Sequence, residues 1–98
     1  MNDTTYNGWA NRETWTVLLW VDNEECMYDA LYKWATARLR KGRTITGTSV
    51  QSFILRNLYD RNGDGISMRN SRIRWGEIGR AVKANAEEMI QYQDEVNS

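Results

Sequence analysis

Two sets of side chains in this sequence could meet a partner chemically. One is acidic, Asp22, Glu24, Glu25 and Asp29; the other is basic, Lys33, Arg38, Arg40, Lys41 and Arg43, with Arg69, Arg72 and Arg74 further along. Carboxylates can face a basic surface or imitate a phosphate backbone, and cations can hold phosphates. Neither set points to catalysis. The chain has no histidine, so Ser-His-Asp and Cys-His arrangements are excluded, and so are zinc sites built from cysteine and histidine. It also has no Gly-x-x-x-x-Gly-Lys or Gly-x-Gly-x-x-Gly phosphate loop. The adjacent carboxylates Glu24-Glu25 and Glu87-Glu88 face apart on a helix and read as solvated surface. An enzyme is not expected, nor is a cofactor.

A metal can be argued at one place, the loop from Asp60 to Ser71. Asp60, Asn62, Asp64 and Gly65 match the first, third, fifth and sixth positions of a calcium-binding EF-hand loop. Ser71 stands where the bidentate Glu belongs, which removes the strongest ligand. Asn-Gly and Asp-Gly are ordinary turn dipeptides, so the expectation is a turn joining two helices and no metal site.

The charged residues are unevenly spread although the formal net charge is zero. Residues 1–32 sum to minus five, residues 33–83 to plus nine and residues 84–98 to minus four. A basic middle between acidic ends can mark a polyanion-binding face, or the ends can fold back over the middle. The near-neutral pI of about 6.2 argues against a dedicated nucleic-acid binder.

Ninety-eight residues make one domain, and the 11% aromatic content gives it enough bulk for a core without staples. The single cysteine, Cys26, rules out an internal disulfide and fits a reducing cytosol. No long apolar run and no basic-then-apolar N-terminus is present, so neither a membrane span nor a secretory signal is expected.

Four helical segments position these residues. Asn11 is a favourable cap for a first helix reaching Asn23, with Glu13 in its first turn and an apolar run from Trp15 to Val21 broken only by Thr16. Trp9 precedes it at the place of a hydrophobic staple. Asn23 is read as the cap of a second helix that ends before Gly42, with Met27, Ala30, Leu31, Trp34, Ala35 and Leu39 inward and Asp29, Tyr32, Lys33 and Thr36 outward. Thr48 and Gln51 form a capping box ahead of a third helix through about Tyr59, burying Val50, Phe53, Ile54, Leu55 and Leu58. A last helix runs from about Arg72 toward Gln93, with Trp75, Ile78, Gly79, Val82, Ala86, Met89, Ile90 and Gln93 on its inner stripe. Gly76 and Gly79 weaken that helix and are expected to serve close packing. Glu87, Glu88, Asp94 and Glu95 sit against the dipole preference and call for basic partners in this chain or another. Residues 1–8 and 95–98 are expected to be flexible. The expected fold is a compact all-α domain; the alternative is α+β, with Trp15 to Val21 and Thr44 to Thr46 as strands.

Asn11, Glu13, Thr14, Trp15, Val17, Leu19, Trp20 and the following Asp22-Asn23-Glu24 resemble the signature of a family of small, mostly uncharacterised proteins of bacteriophages and mobile elements. The pattern is Asn-x-Glu-Thr-Trp, an alternating apolar run ending in Leu-Trp, and an acidic pair. Ile73 to Gly79 is similar to that family's C-terminal Trp-x-Glu-Ile helix start, with Arg74 where the family has Asn or Asp. The resemblance covers about a third of the chain. It implies a phage or plasmid origin, the cytoplasm of a bacterial host, and a single small domain, and it supplies no activity. With it, the charged surfaces read as those of a host-directed interaction protein, an inhibitor of a CRISPR or restriction complex. Its partner is then a host protein or protein–nucleic acid complex. The alternative is a nucleic-acid-binding accessory protein using the basic middle. A homodimer pairing acidic and basic surfaces also fits.

Overall fold

The computed structural model describes residues 11–57 and 67–97, which form four helices, α1 (Arg12–Asn23), α2 (Glu25–Arg40), α3 (Gly47–Asn57) and α4 (Trp75–Asn97). The fold is all-α. No strand forms among the described residues; Trp15 to Val21 lies within α1, and Thr44 to Thr46 is an irregular link. Trp9, Leu58, Tyr59 and the Asp60 to Gly65 part of the calcium-like loop lie outside the described residues.

Local chemistry sets the helix ends, in places against expectation. Asn11 is extended and its side-chain oxygen accepts the Thr14 N–H at 2.9 Å, a standard N-cap for α1. Asn23 does not cap α2. It is the last residue of α1, and Glu24 alone turns the chain, extended at φ −112°, so the cap position falls one residue later and has no side-chain bond. The α2 C-terminus closes on Gly42, at φ 78°, where the Gly42 N–H bonds Leu39 O at 3.0 Å and the Arg43 N–H bonds Arg38 O at 3.0 Å. That is a Schellman motif, and the left-handed position suits glycine. The capping box of α3 is Thr46 with Ser49, not Thr48 with Gln51: the Ser49 N–H donates to Thr46 Oγ1 at 3.1 Å and the Thr46 N–H to Ser49 Oγ at 2.9 Å. Gln51 is engaged elsewhere, its amide donating to Met68 O at 2.9 Å. α4 starts at Trp75 rather than Arg72, because the Arg72 and Ile73 N–H groups turn back onto Asn70.

The helix α4 packs against each of the other three. Val17, Leu18 and Val21 of α1, Leu31 and Ala35 of α2, Val50 and Ile54 of α3, and Ile78, Val82 and Ala86 of α4 meet in one core. Trp15 and Trp20 are half-buried at its margin rather than central, and Leu19 is exposed. Gln93 is exposed too, beyond the buried stripe. Tyr32, on the polar side of α2 by pattern, is instead buried, because α4 covers that side of α2 and Asn85 donates to its hydroxyl at 3.1 Å. The core residues Met68 and Ile73 pin the link between α3 and α4, leaving Arg69, Arg72 and Arg74 outside.

The start of α1 is fastened to the start of α4. Thr14, fully buried, donates its hydroxyl to Asn11 Oδ1 at 2.7 Å and accepts the Arg74 N–H at 2.9 Å. The Asn11 amide donates to Arg72 O at 2.7 Å, and Glu13 pairs with Arg72 at 3.4 Å. The Asn-x-Glu-Thr motif is thus a clip on the segment that carries the second motif.

Gly47 and Gly79 let α3 and α4 approach backbone to backbone. A Cβ at Gly79 would collide with the main chain of Thr46 and Gly47, and one at Gly47 with that of Trp75. Gly76 does not share this role; it is exposed, and its only neighbour is the end of the Arg80 side chain at 3.7 Å. Gly79→Ala should therefore cost about 2 kcal/mol through overpacking. Gly76→Ala should stabilise by roughly 0.5–1 kcal/mol through helix propensity. Thermal denaturation followed by circular dichroism separates the two; equal shifts would contradict the packing.

Candidate functional site

The sequence-predicted charged residues do not form one continuous surface. Arg40 reaches α4, bonding Gln93 Oε1 at 2.9 Å and Asp94 Oδ1 at 3.2 Å. Arg72 is paired with Glu13. The Arg40–Asp94 pair is solvent-exposed and adds little stability, while the Arg72–Glu13 pair joins an exposed guanidinium to a half-buried carboxylate. Arg38 lies half-buried against Trp34, Lys41 and Arg43 are exposed in the link after α2, and Glu24 and Glu25 are exposed where α1 meets α2. Arg69 and Arg74 stand exposed on the link before α4.

The structure does bring acidic residues together elsewhere. Asp22 at the end of α1, Tyr28 on α2, and Asn85, Glu88, Met89, Tyr92 and Gln93 on α4 line a groove of about 680 Å³. A hollow of about 380 Å³ beside it shares Tyr28, Met89 and Gln93 and adds Asp29, Tyr32, Lys33 and Thr36. The rings of Tyr28 and Tyr32 lie 4.7 Å apart and tilted at 49° between the two. Tyr92 keeps 68% of its surface exposed at the rim. Of the predicted residues, Asp22, Asp29 and Lys33 therefore fall on one surface. Sequence reasoning did not place Tyr28, Asn85, Met89 and Tyr92 at a site; for the three on α4 the one signal was the unbalanced acidity around them, and for Tyr28 on α2 there was none.

The electrostatics of this groove are one-sided. Asp22 sits in the last turn of α1, which has no basic residue, so a carboxylate meets the negative end of that helix. Partial burial pushes its pKa above the ordinary aspartate value. Tyr32 is raised too, by burial first, with the charges of Asp22 and Tyr28 adding to it and the Asn85 hydrogen bond opposing. Asp22 has no ion-pair partner among the described residues. Two carboxylates, two tyrosine rings and a methionine suit a cation on an aliphatic stem, a lysine or arginine side chain. No group of three or more His, Cys, Asp or Glu side chains placed to hold a metal occurs among the described residues.

The model of one protein family, described as Family of unknown function (DUF7249), matches residues 2–97. The chain belongs to DUF7249. No curated protein and no solved structure matches it. The DUF7249 match spans both ends of the clip and all three helices of the groove. Among the described residues no helix of this DUF7249 chain is long and apolar enough to cross a membrane.

A folded-state pKa above the unfolded value means that folding disfavours the charged form of Asp22. At neutral pH it subtracts from stability, and the penalty fades as pH falls through the folded pKa to the ordinary value of 3.8. Asp22→Asn is expected to raise the melting temperature at neutral pH, with the gain gone by about pH 3. A gain of the same size at both pH values would mean that burial of the charge is not its cause.

Proposed function

We propose that this DUF7249 chain is a protein-binding domain whose groove between α1, α2 and α4 receives a basic segment of a partner. The observation that carries the reading is Asp22: an exposed carboxylate at a helix C-terminus with no ion-pair partner among the described residues, facing a wall that includes Tyr28, Glu88 and Tyr92. A cation bound there would meet both that carboxylate and the negative end of α1. Tyrosine rings at the centre and rim are also the residue type that dominates interface energetics. The resemblance to phage and mobile-element proteins supports a partner in the bacterial host, and a CRISPR or restriction complex is the class we assign it to, as an inhibitor acting by contact. The alternative, nucleic-acid binding by the basic middle, has less support. Arg40 and Arg72 are engaged by carboxylates, and Lys33 opens onto the acidic side.

Lysine- and arginine-rich peptides titrated into the full chain should shift the amide signals of Asp22, Tyr28, Glu88 and Tyr92. Asp22→Lys with Glu88→Lys should weaken that binding at least about tenfold and abolish capture of a stoichiometric host partner. Unchanged peptide affinity in the double variant would remove the groove from the account. Tight binding of duplex DNA at about 150 mM salt would favour the nucleic-acid alternative instead.

A further inference from the structure

A second recess, between α2 and α3, has the opposite chemistry. It encloses about 350 Å³ and is lined by Trp34, Arg38, Ser49, Ser52, Phe53 and Arg56, with no carboxylate among them. Ser49, Ser52, Phe53 and Arg56 recur at helical spacing, so α3 turns two hydroxyls, a ring and a guanidinium toward α2. From α2, Trp34 and Arg38 stand one turn apart. The Trp34 and Phe53 rings stack on each other with centroids 4.8 Å apart and planes 22° from parallel, and both line the recess.

The guanidinium of Arg38 is held in place. It lies 5.4 Å from the centre of the Trp34 ring, and its Nε–H donates to Thr44 O at 3.1 Å. Its two terminal amino groups have no partner among the described residues. Arg56 is exposed on the other wall and forms no ion pair among the described residues. The Ser49 hydroxyl is engaged with Thr46, which leaves that of Ser52 to face a ligand. Two guanidinium groups on one recess, with no balancing carboxylate among the described residues, suit an anion. The planar fork of arginine matches phosphate oxygens, and flat rings match a base.

We propose that this recess binds a nucleotide, its phosphate between Arg38 and Arg56 with the Ser52 hydroxyl donating, and its base against the aromatic side that Trp34 and Phe53 form. The volume is at the lower end of small-molecule sites, which suits one nucleotide and not a duplex. The site shares no lining residue with the acidic groove, so the two stand or fall separately.

The test is a titration of the full chain with adenosine monophosphate, and separately with inorganic phosphate, followed by the Trp34 indole N–H and the Ser52 and Arg56 signals. Adenosine monophosphate is expected to saturate these shifts in the range of about 0.1–1 mM, with inorganic phosphate at least about tenfold weaker. Arg56→Gln, at an exposed position, should keep the wild-type melting temperature and lower the nucleotide affinity about tenfold; Arg38→Gln should lower it at least as far. A 5′-phosphorylated single-stranded trinucleotide that outcompetes the free nucleotide identifies a strand end as the source, and the reverse order identifies free nucleotide. The proposal is overturned by equal affinity for phosphate and nucleotide, by unchanged affinity in Arg56→Gln, or by no shift at about 10 mM nucleotide.

Discussion

The hydroxyl of Thr14 joins the two distant parts of the chain on which the fold depends. It completes the cap of α1 through Asn11 and receives the backbone N–H of Arg74, the residue before α4. This bond is part-buried, its acceptor Thr14 fully so, and a donor shielded from water and left bare costs about 1–3 kcal/mol. The same contact fixes where α1 begins along α4. α1 has 12 residues, so its last turn comes about 18 Å further on, opposite the middle of α4. That is where Asp22 meets Asn85, Glu88 and Met89. The position of the acidic groove therefore follows from a hydrogen bond at the other end of the helix.

The ends of α1 and α4 repeat one pattern. Neither has a basic residue in its last turn, and both have carboxylates near it, Asp22 in one and Asp94 and Glu95 in the other. Helices are usually stabilised by the opposite arrangement. Asp94 is answered within the chain by Arg40, across an exposed pair. Asp22 is answered by no cation among the described residues, which makes its surroundings the place where a partner's charge has most to offer.

Much of the architecture was legible because it is local. The Asn11 cap and the Gly42 stop depend on residues within one turn of themselves. The errors arose where distant contacts choose between local options. Thr46 and Thr48 each begin a capping sequence, and the contact of Gln51 with Met68 removes the second from use. Tyr32 sits on the polar side of its helix by pattern, yet α4 buries it. The tryptophans are the bulkiest residues of α1, yet Trp15 and Trp20 are half-buried and its fully buried side includes Thr14, Thr16, Val17 and Val21. Neither recess could be read at all, since each is assembled from residues on separate helices.

Thr14→Val tests the clip most directly, because it keeps the shape of the side chain and removes its hydroxyl. Thr16→Val is the matched control; its buried hydroxyl only returns to Glu13 O at 2.9 Å within the same helix. The account predicts a loss of about 2–3 kcal/mol for Thr14→Val and less than about 1 kcal/mol for Thr16→Val, with the Arg74 amide exchanging faster with solvent only in the first. Equal losses in the two variants, with unchanged Arg74 exchange, would contradict it.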